Sequence, residues 1–399
     1  MYPSGNNGLT SLLYIGAPWM DGFKKLPANS KFELEIPLQR ENKTNGIEFL
    51  KAAMAAMGPA KLYSIEVGNE PNLYKGPPTI QDYVKAEQSY MDSIASAVPS
   101  LKQPIFRGLD YSSDDKINGN YSVSNAFQLG LNDKKQIKEV SLHYYQANGG
   151  DSLSDDLLSP NTTETRTNRF IPSINFLKKN FPSIPLILGE VGDIIGKKNN
   201  QKDLALGASL GAAVWTANWM MYCMTVDIDR VETQLAHGSQ FSPWQPITNE
   251  MHDTQGGVTG PFYGLLMIAD LVKSATKGLK VAQVSTGNDR VTAYSAYDGQ
   301  KISSVMLFNT EVWTPAPNKP RPAQFISLKV PDGVKHVTLK RLSGDNSKEL
   351  ANMSWAGQRW EFPSGQPVTF GAGNEELTPK GGIVTIAVLA TEGVMATFS

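Results

Sequence analysis

Residues 62–71 read LYSIEVGNEP, an apolar run that breaks at an Asn-Glu-Pro corner. Pro71 fixes its own φ and cannot donate to a ladder, so the run ends there and Glu70 is presented on a rigid turn. Similar runs recur along the chain: LTSLLYIGAPW (9–19), PIFRGLD (104–110), KEVSLHYY (138–145), IPLILGEVG (184–192) and VETQLAHG (231–238). Nearly continuous apolar character of this kind belongs to parallel strands buried on both faces.

Helical stretches separate the runs. Asn45 and Glu48 give an N-x-x-E start to a helix through GIEFLKAAMAAM, stopped by Gly58-Pro59. A second helix spans Thr79 to Pro99, and others fit 170–180, 203–221 and 261–273. Six strand–helix units, with polar and acidic residues gathered after the strand ends, predict an α/β chain of the (β/α)8 barrel class. A doubly wound dinucleotide fold is disfavoured because no Gly-x-Gly-x-x-Gly turn follows the first run. Beyond about residue 276 the pattern changes to alternating strand segments separated by Gly, Pro, Asn and Asp turns, which predicts an antiparallel β-sandwich. The expected organisation is a barrel over 1–275 and a sandwich over 276–399.

Bulk properties narrow the partners. The 399 residues carry 37 basic and 38 acidic side chains, a net charge of −1, without a dense Lys/Arg run, so nucleic acid is not an expected partner. No apolar stretch reaches the length of a membrane span, and LGASLGAAVWTANWMMYCM (206–224) reads as a buried core helix. Cys223 is the single cysteine, so stability must come from core burial. Sequons begin at Asn42, Asn120, Asn161 and Asn352, as in secreted glycoproteins, while MYPSGNNGLTS lacks the basic start and apolar segment of a signal peptide.

In a barrel the residues just past each strand's carboxyl end converge on one rim. Glu70 and Glu190 end runs three units apart and are expected to face each other across the mouth. Paired acids in such a cleft suit glycosidic cleavage, one protonating the leaving oxygen while the other attacks or activates water. Asn69 supplies an amide for a sugar hydroxyl, and Gly189 and Gly192 leave room for a ring beside Glu190.

GNEPN, followed about 120 residues later by LGEVG with LHYY between, resembles the clan of retaining glycosidases whose acid/base ends the fourth barrel strand and whose nucleophile ends the seventh. Within it the chain most resembles glycoside hydrolase family 79, the heparanase and β-glucuronidase family, particularly its fungal members. GPFYGLLMIADLV and the trailing β-domain extend the likeness over nearly all of the chain. The resemblance implies Glu70 as general acid/base, Glu190 as nucleophile and Asn69 as partner of the sugar 2-hydroxyl. It implies a tyrosine touching the nucleophile, at Tyr144, or at Tyr145 if strand parity is shifted.

Family β-glucuronidases hold the sugar carboxylate partly with a tyrosine after the eighth strand. Here that loop reads AHGSQFSPWQPI (236–247), with Phe241 and Trp244 as its aromatics, leaving backbone N–H groups near Gly238 to bind the anion. His143 is either a substrate contact or a core histidine satisfied by a backbone carbonyl. Trp19 and Trp244 are either sugar platforms or core packing.

The implied reaction is double displacement with retention on a β-linked glucuronic or 4-O-methylglucuronic acid, carboxyl groups about 5–5.5 Å apart. No metal or organic cofactor is expected, the four histidines being too scattered for a ligand cluster. Counted by the resemblance, run 9–19 becomes the third strand, so an N-terminally truncated chain without the first two strands is expected, from an extracellular full-length parent. Two other readings stand beside this one: a carbohydrate-binding protein that no longer turns over, and a clan-related glycosidase for a neutral sugar.

Overall fold

The computed structural model describes residues 2–4, 13–39, 42–112, 121–195, 201–235, 241–246, 248 and 256–399. Its contacts divide the chain into two compact units. One comprises 1–144, 169–190 and 228–231, and the other 145–168, 191–227 and 232–399.

The first unit is built on a six-stranded sheet. After a short antiparallel hairpin of β1 (Tyr2–Ser4) and β2 (Leu13–Ile15), the strands β3 (Phe32–Ile36), β4 (Leu62–Val67), β5 (Phe106–Tyr111), β6 (Ile137–Asn148), β7 (Leu186–Ile195) and β8 (Arg230–Thr233) follow one another in sequential order. The pairs β3–β4, β4–β5 and β5–β6 are parallel. This is a parallel half-barrel.

The run at 9–19 does not supply its first strand. Among the described residues of that run, Leu13–Ile15 is extended and pairs back on β1, while Ala17–Asp21 is helical with Pro18 in its first turn. The strand is β3, FELEI, whose Glu33 and Glu35 break the apolar run. Those two side chains share one face by strand alternation, and Leu34 and Ile36, on the other, are buried.

Local chemistry explains the helices that cover the sheet. The helix Lys43–Met57 is capped by Asn42, whose side chain accepts from the Asn45 N–H, rather than starting at Asn45 itself. Its buried positions, among them Phe49, Leu50, Ala53 and Met57, form one stripe. Thr79 caps Ile80–Ala97 by accepting from the Asp82 N–H. Ile171–Asn180 follows the same amphipathic rule.

In the second unit the expected helix 203–221 is two helices, Gln201–Gly207 and Leu210–Thr225, with Ser209 capping the latter. Every residue from Leu210 to Cys223 is buried, as the apolar run required. No helix among the described residues is long and apolar enough to cross a membrane. The strands β9 (Trp244–Gln245) and β10 (Gly257–Val258) pair before the helix Gly260–Ser274.

The remaining strands are β11 (Leu279–Val284), β12 (Val291–Asp298), β13 (Lys301–Asn309), β14 (Ala323–Lys329), β15 (Val337–Gly344), β16 (Met353–Trp355), β17 (Gln358–Glu361), β18 (Gln366–Thr369), β19 (Glu375–Leu377), β20 (Ile383–Leu389) and β21 (Glu392–Phe398). One sheet runs β11-β12-β13-β21-β15-β16-β17-β18 with β19 on β15, and β14 pairs β20 in a second. Val305, Leu307, Leu339 and Val394 from the first sheet meet Val384, Ile386 and Val388 from the second, giving the sandwich its core.

Candidate active site

The Asn-Glu-Pro corner is held by its backbone. The Gly68 N–H donates to the Ile36 carbonyl on β3 and the Glu70 N–H to the Asp110 carbonyl at the end of β5, at 2.9 and 3.0 Å. Glu70 itself takes a left-handed conformation (φ 48°, ψ 52°), a cost an ordinary side chain bears only where neighbours over-determine it. Asn72 ties the corner to β5 twice, donating to Ser112 Oγ at 2.7 Å and accepting from the Ser112 N–H at 3.2 Å.

Three side chains meet above this frame. One ligand atom each from Glu70, His143 and Glu190 lies within 4.8 Å of the other two. His143 Nδ1 is 2.9 Å from Glu70 Oε1 and 4.0 Å from Glu190 Oε2, and His143 Nε2 is 3.0 Å from Asp110 Oδ1. The carboxylates are about a quarter exposed, whereas the imidazole is 1% exposed. Glu70 and Glu190 therefore face solvent with His143 as the floor between them.

Burial alone would depress the His143 imidazole, but the Asp110 carboxylate bonded to it, with Glu70 and Glu190 nearby, holds it up at about 10. Burial works against the Asp110 charge as well, yet the His143 cation and donors from His143, Glu66 and Ser141 lower it to about 2. Glu66 is pushed well above the carboxylate range by burial and then by Asp110, to which it donates. Glu35 is raised to about 8 by burial and then by the charges of Asp110 and Glu190. Glu70, His143 and Glu190 could in principle present three ligands to a cation. His143 Nδ1 is directed at Glu70 and Nε2 at Asp110, so both ring nitrogens are already engaged by carboxylates.

Beneath lies a second polar layer. Arg107, 1% exposed, reaches Glu33 through Nη2, Glu66 through Nη1 at 3.5 Å and Glu139 through Nε at 3.2 Å. Arg230 Nη2 reaches the same Glu139 oxygen at 2.8 Å. Ser64 donates to Glu33 at 2.6 Å.

The sandwich strands carry family information. Residues 293–395 match the glycosyl hydrolase family 79 C-terminal beta domain. Two β-glucuronidases align over most of the chain. That of Neurospora crassa is 24% identical over 92% of this chain and 74% of its own length. That of Aspergillus niger is 24% identical over 88% and 67%.

Residues 293–395 tie the C-terminal part of the chain to that family's beta domain. A crystal structure of a 4-O-α-L-rhamnosyl-β-D-glucuronidase from Fusarium oxysporum shares the chain's fold, with a TM-score of 0.81 at 18% identity over 100% of this chain and 83% of the other. The family 44 endoglucanase Cel44A of Clostridium thermocellum is more distant, with a TM-score of 0.53 at 11% identity over 89% and 70%.

Several site readings change. Tyr144 does not point toward Glu190: it is fully buried against Phe170, with Arg169 over its ring, because alternation puts it on the opposite face from His143. Tyr145 shares the His143 face, and its ring fills the space a Cβ at Gly192 would occupy. Gly189 likewise leaves room for Ser141 Oγ and Arg107 Nη1, so the chain's own side chains occupy the gaps assigned to a sugar. His143 is bonded to two carboxylates rather than a backbone carbonyl, and its ring is buried.

Asn69 is on the corner, and its N–H donates to the Tyr74 hydroxyl. Trp19 is half exposed, one face packed on Phe23 and Phe49. Phe241 is buried in the second unit, where it lies against Gly207. Trp244 is half exposed on β9. Gly238 lies outside the described residues.

Sequence reasoning passed over Asp110, Glu66, Glu35, Arg107 and Glu139. For Glu35 and Glu139 the signal was a polar residue at every second position, as in F-E-L-E-I and K-E-V-S-L-H.

Proposed function

We propose that this chain is a retaining glycosidase that removes β-linked glucuronic acid, or its 4-O-methyl form, from glycans. Glu190 attacks the anomeric carbon as Glu70 protonates the leaving oxygen. Glu70 then takes a proton from the water that releases the sugar. Asn69, one residue before the acid, is proposed as the partner of the 2-hydroxyl. The observation that carries the reading is the convergence of Glu70 and Glu190 oxygens within 4.8 Å. Retaining pairs stand about 5–5.5 Å apart, while inverting pairs need roughly 6.5–9.5 Å to admit a water between acid and sugar.

The six strands are then the third to eighth staves of a (β/α)8 barrel, with Glu70 after the fourth and Glu190 after the seventh, the rim where barrel enzymes place their chemistry. The β-glucuronidase names of the Neurospora and Aspergillus relatives support the choice of sugar. An extracellular setting accords with the four sequons.

The test is release of a chromophore from aryl β-D-glucuronides by the full chain, set against the matching xylosides, galactosides and arabinofuranosides. Turnover of the glucuronide that Glu190→Gln abolishes is the expected result. Preference for a neutral sugar overturns the substrate, and turnover unaffected by Glu190→Gln overturns the mechanism.

A further inference from the structure

We propose that Asp110 is a positioning residue for the acid/base, holding Glu70 by two routes at once: its main-chain carbonyl receives the Glu70 N–H, and its carboxylate clamps His143 so that the opposite ring nitrogen is aimed at the Glu70 carboxyl. The inference rests on the glycosidase reading of Glu70 and extends it to a residue on a different strand.

The geometry supports both routes. The Glu70 N–H reaches the Asp110 carbonyl at 3.0 Å, and Asp110 Oδ1 lies 3.0 Å from His143 Nε2, with Nδ1 of the same ring 2.9 Å from Glu70 Oε1. The same Oδ1 receives Ser141 Oγ at 2.5 Å. Such a carboxylate, 3% exposed and fed by several donors, is held in one orientation.

The backbone is bent to put it there. Leu109 and Asp110 have φ of 80° and 46°, and the β5–β6 register shifts between Leu109 and Tyr111. Two consecutive non-glycine residues in the left-handed region mark a bulge that re-aims a side chain beside a functional site. Without it, alternation from Arg107 would leave residue 110 facing away from His143.

Among the described residues, the charged groups in contact with His143 are acids: Glu70 on the corner after β4, Asp110 on β5 and Glu190 on β7, with Glu35 on β3 and Glu66 on β4 acting on the same cluster. A ring that keeps both N–H groups cannot flip to present a lone pair to Glu70.

The experiment compares wild type with Asp110→Asn and Asp110→Ala in the full chain, using two readouts. Ring 15N chemical shifts of His143, assigned with His143→Gln, report protonation without any turnover. Wild type is expected to be doubly protonated at pH 8, and Asp110→Asn to lower the midpoint by about two pH units or more. A neutral wild-type ring at pH 7 overturns the proposal, and that reading needs no variant to fold. The second readout is kcat/KM for aryl glucuronides with poor and good leaving groups. Loss of about tenfold or more for the poor leaving group, with little for the good one, is expected when only proton delivery is disturbed. Equal losses for both overturn it. A wild type inactive on every aryl glycoside sinks the glycosidase reading, while the ring shifts still decide the clamp.

Discussion

At the scale of single residues, the proposed reaction gives separate tasks to acids that look alike in the sequence. Glu70→Gln removes a proton donor while leaving its fold intact, so turnover of a poor leaving group is expected to fall by about 10²–10⁴-fold, with added azide restoring turnover of activated substrates. An unchanged kcat/KM would remove Glu70 from the reaction. Arg107 is a stability residue instead. Replacing it by Met leaves Glu33, Glu66 and Glu139 facing one another in a buried layer, and breaking such a cluster from one side costs about 3–5 kcal/mol. Chemical denaturation measures this, and a loss under 1 kcal/mol would mean the layer is hydrated. Glu70 and Glu190 were legible because each ends an apolar run beside Gly or Pro. Asp110 was not, since only the bulge at Leu109 turns it inward, and a bulge leaves no trace in hydrophobic periodicity.

At the scale of elements, boundaries were misread wherever charge or a cap interrupted a pattern. β3 was missed because Glu33 and Glu35 interrupt the apolar character of FELEI, although a sheet with a polar inner face places acids at alternate positions. β21, EGVMATF, lies between β13 and β15 in the middle of the large sheet. The break between Gly207 and Leu210 has a physical cause. The Ser209 hydroxyl caps the second helix, and Gly260 brings its backbone against Ser209, its N–H donating to the Ala208 carbonyl at 2.8 Å. A Cβ at Gly260 would stand 1.9 Å from the Ser209 carbonyl oxygen, so Gly260→Ala is expected to cost about 1–3 kcal/mol or more through overpacking. A thermal midpoint equal to wild type would show that the two helices separate freely.

At the scale of the whole molecule, buried acids set the pH response. Glu35 and Glu87 titrate at about 8 when folded against 4.5 as free groups, and His143 at about 10 against 6.5. For Glu35 and His143 these shifts arise in the inner cluster, and for Glu87 in burial under β5. From pH 4.5 to 10 the folded state binds more protons than the unfolded one, so stability falls as pH rises. Asp110 acts oppositely: its contribution is present above 3.8 and lost as pH falls through about 2. The thermal midpoint is expected to peak near pH 4–5 and to drop on the order of 5 °C by pH 9, measurable by scanning calorimetry. A midpoint that rises toward pH 9 would contradict the assigned shifts. None of this was visible in a net charge of −1, which records the number of charges and not their burial.

The central claim is that Glu190 attacks a sugar held between it and Glu70. Incubation with a 2-deoxy-2-fluoro-glucuronyl fluoride, followed by digestion and mass spectrometry, tests it most directly. The expected result is one fluoroglucuronyl adduct, on the peptide containing Glu190 and absent from Glu190→Gln. An adduct on another carboxylate, or none under conditions in which aryl glucuronides turn over, would contradict it.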